Sequence, residues 1–389
     1  VNGELLESWE IEPDESVKNW FSILQDRVDE RIAELIRAAA EEERLPKGSD
    51  ESNVRALYLT GMDKDSRNAG GFGETVSAFF ARVDGADSVE ELVRACMKFN
   101  RNYGLYSIFG MYVGADYEDS SVKILGVDAG DTGLNKEIWF SEDESNQKMV
   151  SEYEALLRKF GEIEGYSQED ARKAAEDTVN LMRSLAENSL SQSELYDPEK
   201  TYHVYQVSDL EALFSGNISS EMVEEVYGVQ GEDPVIVSEV EKVEQMGAFL
   251  TEDHLPTLKS YVKLCAHKDL SSYMDMDTYQ AVTDYSMAVS GTEESRPFEE
   301  LLMEEIQGLL GFQCGRMYCQ NDYAEETTEE VTQIISQVID TFRGRIDGLD
   351  WMSEATKEEA KNKLAKMEVR VGHPDIWPQD RYELVLDAP

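Results

Sequence analysis

The stretch "TTEEVTQIISQVIDTFRGRIDGLDWMSEATKEEAKNKL", residues 327–364, decides the fold class. Val331, Ile334, Ile335, Val338, Ile339, Phe342 and Ile346 recur at threes and fours, the spacing of one face of a helix. Thr327 and Glu330 stand in capping-box spacing at its start, so the pattern predicts a helix over 327–349. Trp351 and Met352 follow at a break, and Ser353 opens a second, highly charged helix.

The same period extends upstream. Residues 296–322 read as one long helix, and "LPTLKSYVKLCAHKDLSSYM" from Leu255 starts another at a proline, which a first turn tolerates. "DESNQKMVSEYEALLRKFGEIEG" and "SQEDARKAAEDTVNLMRSLAENSLS" are two consecutive helices, the second capped by Ser167. Ser88 and Glu91 predict a capped helix ending near Gly104. Val17, Trp20, Phe21, Leu24, Val28, Ile32, Leu35 and Ile36 make 16–44 an amphipathic helix between Pro13 and Pro46.

One region breaks the helical pattern. "LYSIFGMYVGADYEDSSVKILGVDAGDTGL", residues 105–134, is rich in Tyr, Val and Ile and interrupted by Gly and Asp. It predicts two short strands as a hairpin, with "EIWF" closing that element. "DPEKTYHVYQVSDLEALFSG" reads as a loop and a short helix, and "DPVIVSEVEKVEQMGAFL" as a brief strand and a helix. The fold is therefore predominantly α with a small β element. Breaks in the pattern fall near 45–50 and 348–352. No internal repeat is present.

At 389 residues the chain exceeds what one ordinary core supports, so two lobes are expected. Apolar residues make up 41%, enough for a packed interior. No run reaches the roughly 18 apolar residues of a membrane span, and the first residues lack the pattern of a signal peptide. Acidic residues outnumber basic ones 81 to 36, a net charge of −45 spread along the chain. Such a surface repels phosphate backbones and anionic membranes, so no nucleic-acid partner is expected. It would attract basic peptides at long range, although a solvated acidic surface is the simpler reading.

No complete catalytic set is visible. None of the four histidines, His203, His254, His267 and His373, stands in a His-Glu-x-x-His pair. Cys314 and Cys319 point to different sides of one helix; with Cys96 and Cys265 they read as buried thiols. "NAGGFGE" and "GDTG" lack the strand and helix context of a phosphate loop and read as turns. "DMDTY" and "DKDSRN" echo calcium loops without the glycine or distant glutamate, so they read as caps and turns.

Four stretches in order carry a resemblance. They are "VNGELLESWEIEPDESVKNWFSILQDRVDERI", "KILGVDAGDTGLNKEIWF", "YSQEDARKAAEDTVNLMRSLAENSLSQSELYDPEKTYH" and "CGRMYCQNDYAEETTEEVTQIISQVIDTFRGRIDGLDWMSEATKEEAKNKLAKMEVRVGHPDIW". Together they resemble the N-terminal region of the neprilysin, endothelin-converting enzyme and oligoendopeptidase O family of zinc metallopeptidases. The resemblance implies two lobes: a catalytic lobe with a thermolysin-like zinc site, and a helical lobe covering it to form a chamber for peptides. It implies that residues 1–48 contribute to the catalytic lobe, 49–349 form the covering lobe, and 350–389 cross back.

The family's Asn-Ala-x-Tyr and His-Glu-x-x-His motifs do not occur in these residues, and its Glu-x-x-x-Asp helix is expected farther along. The expected role is thus non-catalytic. Zinc would sit on a C-terminal catalytic part, in the same or a companion chain, and the substrates would be peptides outside the cytoplasm. The alternatives are a stand-alone peptide-binding relative and an acidic helical interaction protein.

In the family the first helix lines the primed side of the cleft. Phe21 matches its aromatic position and Gln25 replaces an arginine that binds the peptide carboxylate. Val17 or Lys18 falls on a second arginine, and Ser22 on an acidic position. The resemblance thus implies Phe21 and Gln25 as substrate-binding residues with a weakened carboxylate clamp. Phe21 reads equally as core of the first helix.

Overall fold

The structure, a computed structural model, describes residue 3, residues 9–378 and residues 383–384. The ends of the first resemblance stretch and of the expected return segment, 350–389, lie outside the described residues. Helices of seven or more residues are numbered in chain order. They begin with α1 (Trp20–Glu41), α2 (Asp50–Met62), α3 (Lys64–Gly70), α4 (Gly73–Gly85) and α5 (Val89–Tyr103). Strands β1 (Gly110–Ala115) and β2 (Lys123–Asp128) follow, then α6 (Glu144–Ile163) and α7 (Gln168–Glu187). Next come β3 (Val204–Gln206), α8 (Ser220–Tyr227), β4 (Pro234–Val237), α9 (Val240–Phe249), α10 (Leu255–Leu270) and α11 (Met276–Ser290). The chain continues with α12 (Phe298–Leu309), α13 (Gly311–Asp322), α14 (Glu325–Asp347) and α15 (Glu354–Ala365).

The chain divides into two compact units. One comprises Val17–Asp63 and the chain from Arg296 onward; the other comprises Lys64–Ser295 with Glu12–Ser16. In the first unit, Val54 of α2 and Met303, Ile306, Cys314 and Met317 of α12 and α13 close on Ile32 and Ile36 of α1 in one core.

In this discontinuous unit, α1 starts later than its apolar period suggests because Asn19 caps it. Asn19 Oδ1 accepts from the N–H groups of Phe21 (2.8 Å) and Ser22 (3.0 Å), and Ser22 Oγ accepts from the Asn19 N–H (3.0 Å). Ile36 is fully buried; such a side chain contributes about 1.5–3 kcal/mol. The helix expected over 296–322 is broken at Leu310, whose φ of −119° and ψ of 38° leave the helical region. Gly308 and Gly311 flank the break, where helix propensity is low, and Leu310 itself is buried. Charged clamps tie the helices: Arg31 to Asp322 (2.8 Å), Arg37 to Glu299 (3.0 Å) and Arg316 to Asp50 (2.6 Å).

Helix α14 starts at Glu325, without a side-chain cap, so Thr327 and Glu330 do not form its N-terminus. Its apolar stripe is largely uncovered. Ile334, Val338 and Phe342 are 60%, 61% and 57% exposed, and within the helix only Ile346 is fully buried. Ser353 caps α15, accepting from the Thr356 N–H at 3.1 Å, while Trp351 between the two helices is exposed.

The contiguous unit packs its helices around a four-stranded sheet of order β1-β2-β4-β3. β1 and β2 form the expected antiparallel hairpin, with Met111 opposite Val127. β4 runs parallel to β2, with Val237 opposite Val127, and β3 closes the other edge antiparallel to β4. Gly126 makes room for the Tyr112 ring: a Cβ there would stand 2.2 Å from it unless the ring moved. Ser88 and Ser167 cap α5 and α7, and α5 ends at Gly104 with φ +78°. "EIWF" does not extend the β element. It forms a short helix, Lys136–Trp139, because Trp139 is buried there and its Nε1 donates to the Thr132 carbonyl at 2.8 Å.

Candidate functional site

Two regions carry side chains that could meet a ligand, one in each unit. On α1, Phe21 is 85% exposed in the first turn, and Val17 and Leu24 are exposed beside it. Phe21 is therefore not core of the helix; the core face carries Ile32, Ala33, Ile36 and Ala39. Gln25 lies one turn on from Phe21, exposed, and its Nε2 donates to Asp29 Oδ1 at 3.0 Å. Ser22 is committed to the cap with Asn19. Neither Gln25 nor Ser22 supplies the cationic fork that grips a carboxylate.

The second region is a cavity of about 610 Å³ in the contiguous unit. The turn after α5, the loop after β2 and the C-terminal end of α10 line it, with Lys242 from α9. The loop is "DAGDTG", residues 128–133, and it is tightly held. The Gly130 N–H donates to the Ser107 carbonyl at 2.7 Å, the Gly133 N–H to Asp131 Oδ1 at 2.8 Å, and the Tyr261 hydroxyl to the Asp131 carbonyl at 2.9 Å. Gly133 takes φ +68° with the Tyr153 hydroxyl so close that a Cβ would stand 2.5 Å from it.

The cavity mixes charges. Lys242, with a side chain only 7% exposed, bridges Asp128 (2.9 Å) and Glu239 (2.5 Å). Burial alone would lower its pKa, but the two carboxylates outweigh that and raise it. Lys268 lies 3.6 Å from Asp269. Burial, then the neighbouring Asp131, push the Asp269 carboxyl up to about 6. Tyr103 and Tyr273 stand exposed among the lining residues. The "GDTG" segment brings Asp131 together with Lys242, Lys268 and Asp269, which no local sequence pattern connects.

The histidines are engaged elsewhere. His267, fully buried, pairs its Nε2 with Glu164 at 2.7 Å and stacks on Phe160. His203 contacts the Lys200 carbonyl, His254 contacts Thr251, and His373 contacts Glu325. Asp275 serves as the cap of α11, accepting from Asp277 and Thr278. Among the described residues no three His, Cys, Asp or Glu side chains gather where they could hold a metal ion. Glu164, the one carboxylate on a buried histidine, is taken by Lys263. All four cysteines are free thiols, three of them buried.

The fold is that of the N-terminal part of known zinc metalloproteases. The Mycobacterium tuberculosis zinc metalloprotease Zmp1, solved with an inhibitor, superposes with a TM-score of 0.86 at 20% identity, over 98% of this chain and 57% of that one. PepO from Lactobacillus rhamnosis gives a TM-score of 0.82 at 20% identity, over 97% of this chain and 59% of that one. The model of peptidase family M13 matches residues 1–374, and the chain belongs to that family.

A Streptococcus gordonii protein named as a zinc metalloproteinase of the scaA 5′ region is 23% identical over all of this chain and 68% of its own length. Human endothelin-converting enzyme 1 is 23% identical over 71% of this chain and 36% of its own length. The chain thus spans between about a third and two thirds of the length of these relatives. Among the described residues, no helix is long and apolar enough to cross a membrane.

Proposed function

We propose that this chain is the non-catalytic N-terminal part of a neprilysin-like zinc metalloendopeptidase, whose catalytic part lies on the same or a companion polypeptide. The observation that carries this reading is the uncovered stripe on α14. Ile334, Val338 and Phe342 sit at i, i+4 and i+8 and are each more than half exposed. A stable soluble protein does not normally present such a row to water; it covers it. The occupant favoured here is the catalytic region of the M13 fold, because the matched relatives extend well beyond the length this chain spans.

In this reading residues 49–349 are the covering lobe that walls a peptide chamber with the catalytic part, and Phe21 and Gln25 bind substrate. With Gln25 in place of a cation, peptides lacking a free C-terminal carboxylate are accepted as readily as those bearing one. The work takes place outside the cytoplasm, as the family resemblance implies, and zinc belongs to the catalytic part.

The test is zinc content and peptide hydrolysis, measured on this chain alone and after addition of a family M13 catalytic region. Neither zinc nor hydrolysis should accompany the chain alone, and both should be present in a stable 1:1 complex. Stoichiometric zinc with hydrolysis by the chain alone would refute the non-catalytic role. Failure of the catalytic region to bind α14 would refute the docking.

A further inference from the structure

We propose that the cavity between the turn after α5, the "DAGDTG" loop and the end of α10 takes a basic side chain, a guanidinium or an alkylammonium, from a peptide. That a peptide supplies it rests on the function proposed above; the preference for a cation does not.

The argument starts from the walls. Several of the loop's polar backbone groups are already committed: the Gly130 N–H to Ser107, the Gly133 N–H to Asp131, the Asp131 carbonyl to Tyr261 and the Thr132 carbonyl to Trp139. The cavity is therefore preformed, and little ordering is needed before a ligand binds.

The charges decide the ligand. Three carboxylates, Asp128, Asp131 and Asp269, face two ammonium groups, Lys242 and Lys268. Lys242 is consumed between Asp128 and Glu239, the latter outside the lining. Lys268 alone then answers both Asp131 and Asp269, and its contact with Asp269, at 3.6 Å, is longer than a direct hydrogen bond. Burial first, and then the charge of Asp131, raise the Asp269 carboxyl, and Lys268 offsets this only in part. Fully buried Tyr153, whose hydroxyl has no hydrogen-bond partner among the described residues, also feels the charges of Asp131 and Asp269. An anion entering here would add to the excess of negative charge; a cation would relieve it.

The rim suits a long basic side chain. Tyr103 and Tyr273 offer exposed rings, and Leu105 and Leu270 offer apolar surface to an aliphatic stem. A surface of net charge −45 concentrates such ligands before they reach the cavity.

The experiment titrates the whole chain with N-acetyl-arginine methylamide and with its neutral isostere, N-acetyl-citrulline methylamide, followed by heteronuclear NMR. The arginine compound should bind about 10-fold more tightly at pH 7.5, which corresponds to ~1.4 kcal/mol. Its affinity should fall as pH drops through about 6, where Asp269 loses its charge. Asp269→Asn should remove the preference while leaving the melting temperature unchanged. Should that variant unfold, Tyr103→Ala at the exposed rim should weaken arginine binding severalfold in a folded protein. Equal affinity for the two compounds, or tighter binding of N-acetyl-glutamate methylamide, overturns the cation site. A dodecapeptide with one arginine should bind more tightly than the amide. If it binds no better, the cation site stands and the peptide source fails.

Discussion

Arg316 and Asp50 form a two-pronged ion pair. Arg316 Nε donates to Asp50 Oδ2 at 2.8 Å and Nη2 to Oδ1 at 2.6 Å, with only 14% and 15% of the two side chains exposed. The pair joins α13 to the first turn of α2. The Arg316 guanidinium also lies 5.7 Å from the Trp377 ring. Arg316→Met leaves the Asp50 carboxylate buried without its fork and should cost about 3–5 kcal/mol. Arg316→Lys should cost less, keeping the charge but losing one prong. Urea unfolding followed by tryptophan emission checks both, and equal midpoints for wild type and Arg316→Met would remove this pair from the account of stability.

Glu164 gives the contiguous unit an acid limit. Burial pushes its carboxyl up, but hydrogen bonds from His267 and Lys263 outweigh that and hold it below its ordinary 4.5. A carboxyl depressed by folding adds stability that is present above its unfolded value and lost as pH falls through the folded one. The unit should therefore weaken below about pH 4.5. Glu164→Gln leaves Lys263, 4% exposed, without its closest partner and should cost about 3–5 kcal/mol at pH 7. Its melting temperature should vary less with pH than wild type between pH 3 and 5. Parallel profiles would contradict this.

Two left-handed glycines should respond differently to alanine. Gly104 has φ +78° and open space around it, so Gly104→Ala should cost about 1 kcal/mol. Gly133 has φ +68° and meets the buried Tyr153 ring, so Gly133→Ala adds a clash to the same strain. It should cost about 2–4 kcal/mol. Thermal melts of the two variants give the comparison.

The α14 stripe separates folding from association. Ile334→Lys, Val338→Glu and Phe342→Ser replace exposed side chains, so each should change stability by less than about 0.5 kcal/mol. Together they should weaken binding of a family M13 catalytic region by more than about 10-fold, read by surface plasmon resonance. A triple variant that unfolds would show that the stripe belongs to the core.

Gln25 tests the primed side. In the reconstituted enzyme, Gln25→Arg should raise cleavage of peptides with a free C-terminus relative to their amides by about 10-fold. An unchanged ratio means that α1 does not meet the substrate's C-terminus.

Much of the helical fold is legible because its signals are local. Ser88, Ser167 and Ser353 cap where their spacing places them, and Gly104 ends α5. The hairpin is equally local. The break at Leu310 escaped a periodic reading because the apolar spacing runs through it, although Gly308 and Gly311 mark the spot. Position alone puts "EIWF" at the close of the hairpin element, whereas Trp139 sits in a short helix from which its indole N–H donates to the Thr132 carbonyl. The apolar stripe of α14 predicted a helix correctly, but periodicity cannot say whether a face is covered. The charged cavity was illegible, since Asp131, Lys242 and Asp269 meet only through tertiary packing.

The discontinuous unit sets an order on synthesis. As the chain leaves the ribosome, Lys64–Ser295 is complete in itself and can collapse once its last helix emerges. Ile32 and Ile36 must wait far longer, because Met303, Ile306 and Met317, which cover them, are among the later residues to be made. Through that interval α1 is a nascent amphipathic helix with its apolar side open to chaperones. Slow codons or pausing just after residue 295 would prolong that exposure, and the clamp between Arg31 and Asp322 can close only once synthesis has run far enough past residue 322 for α13 to clear the exit tunnel.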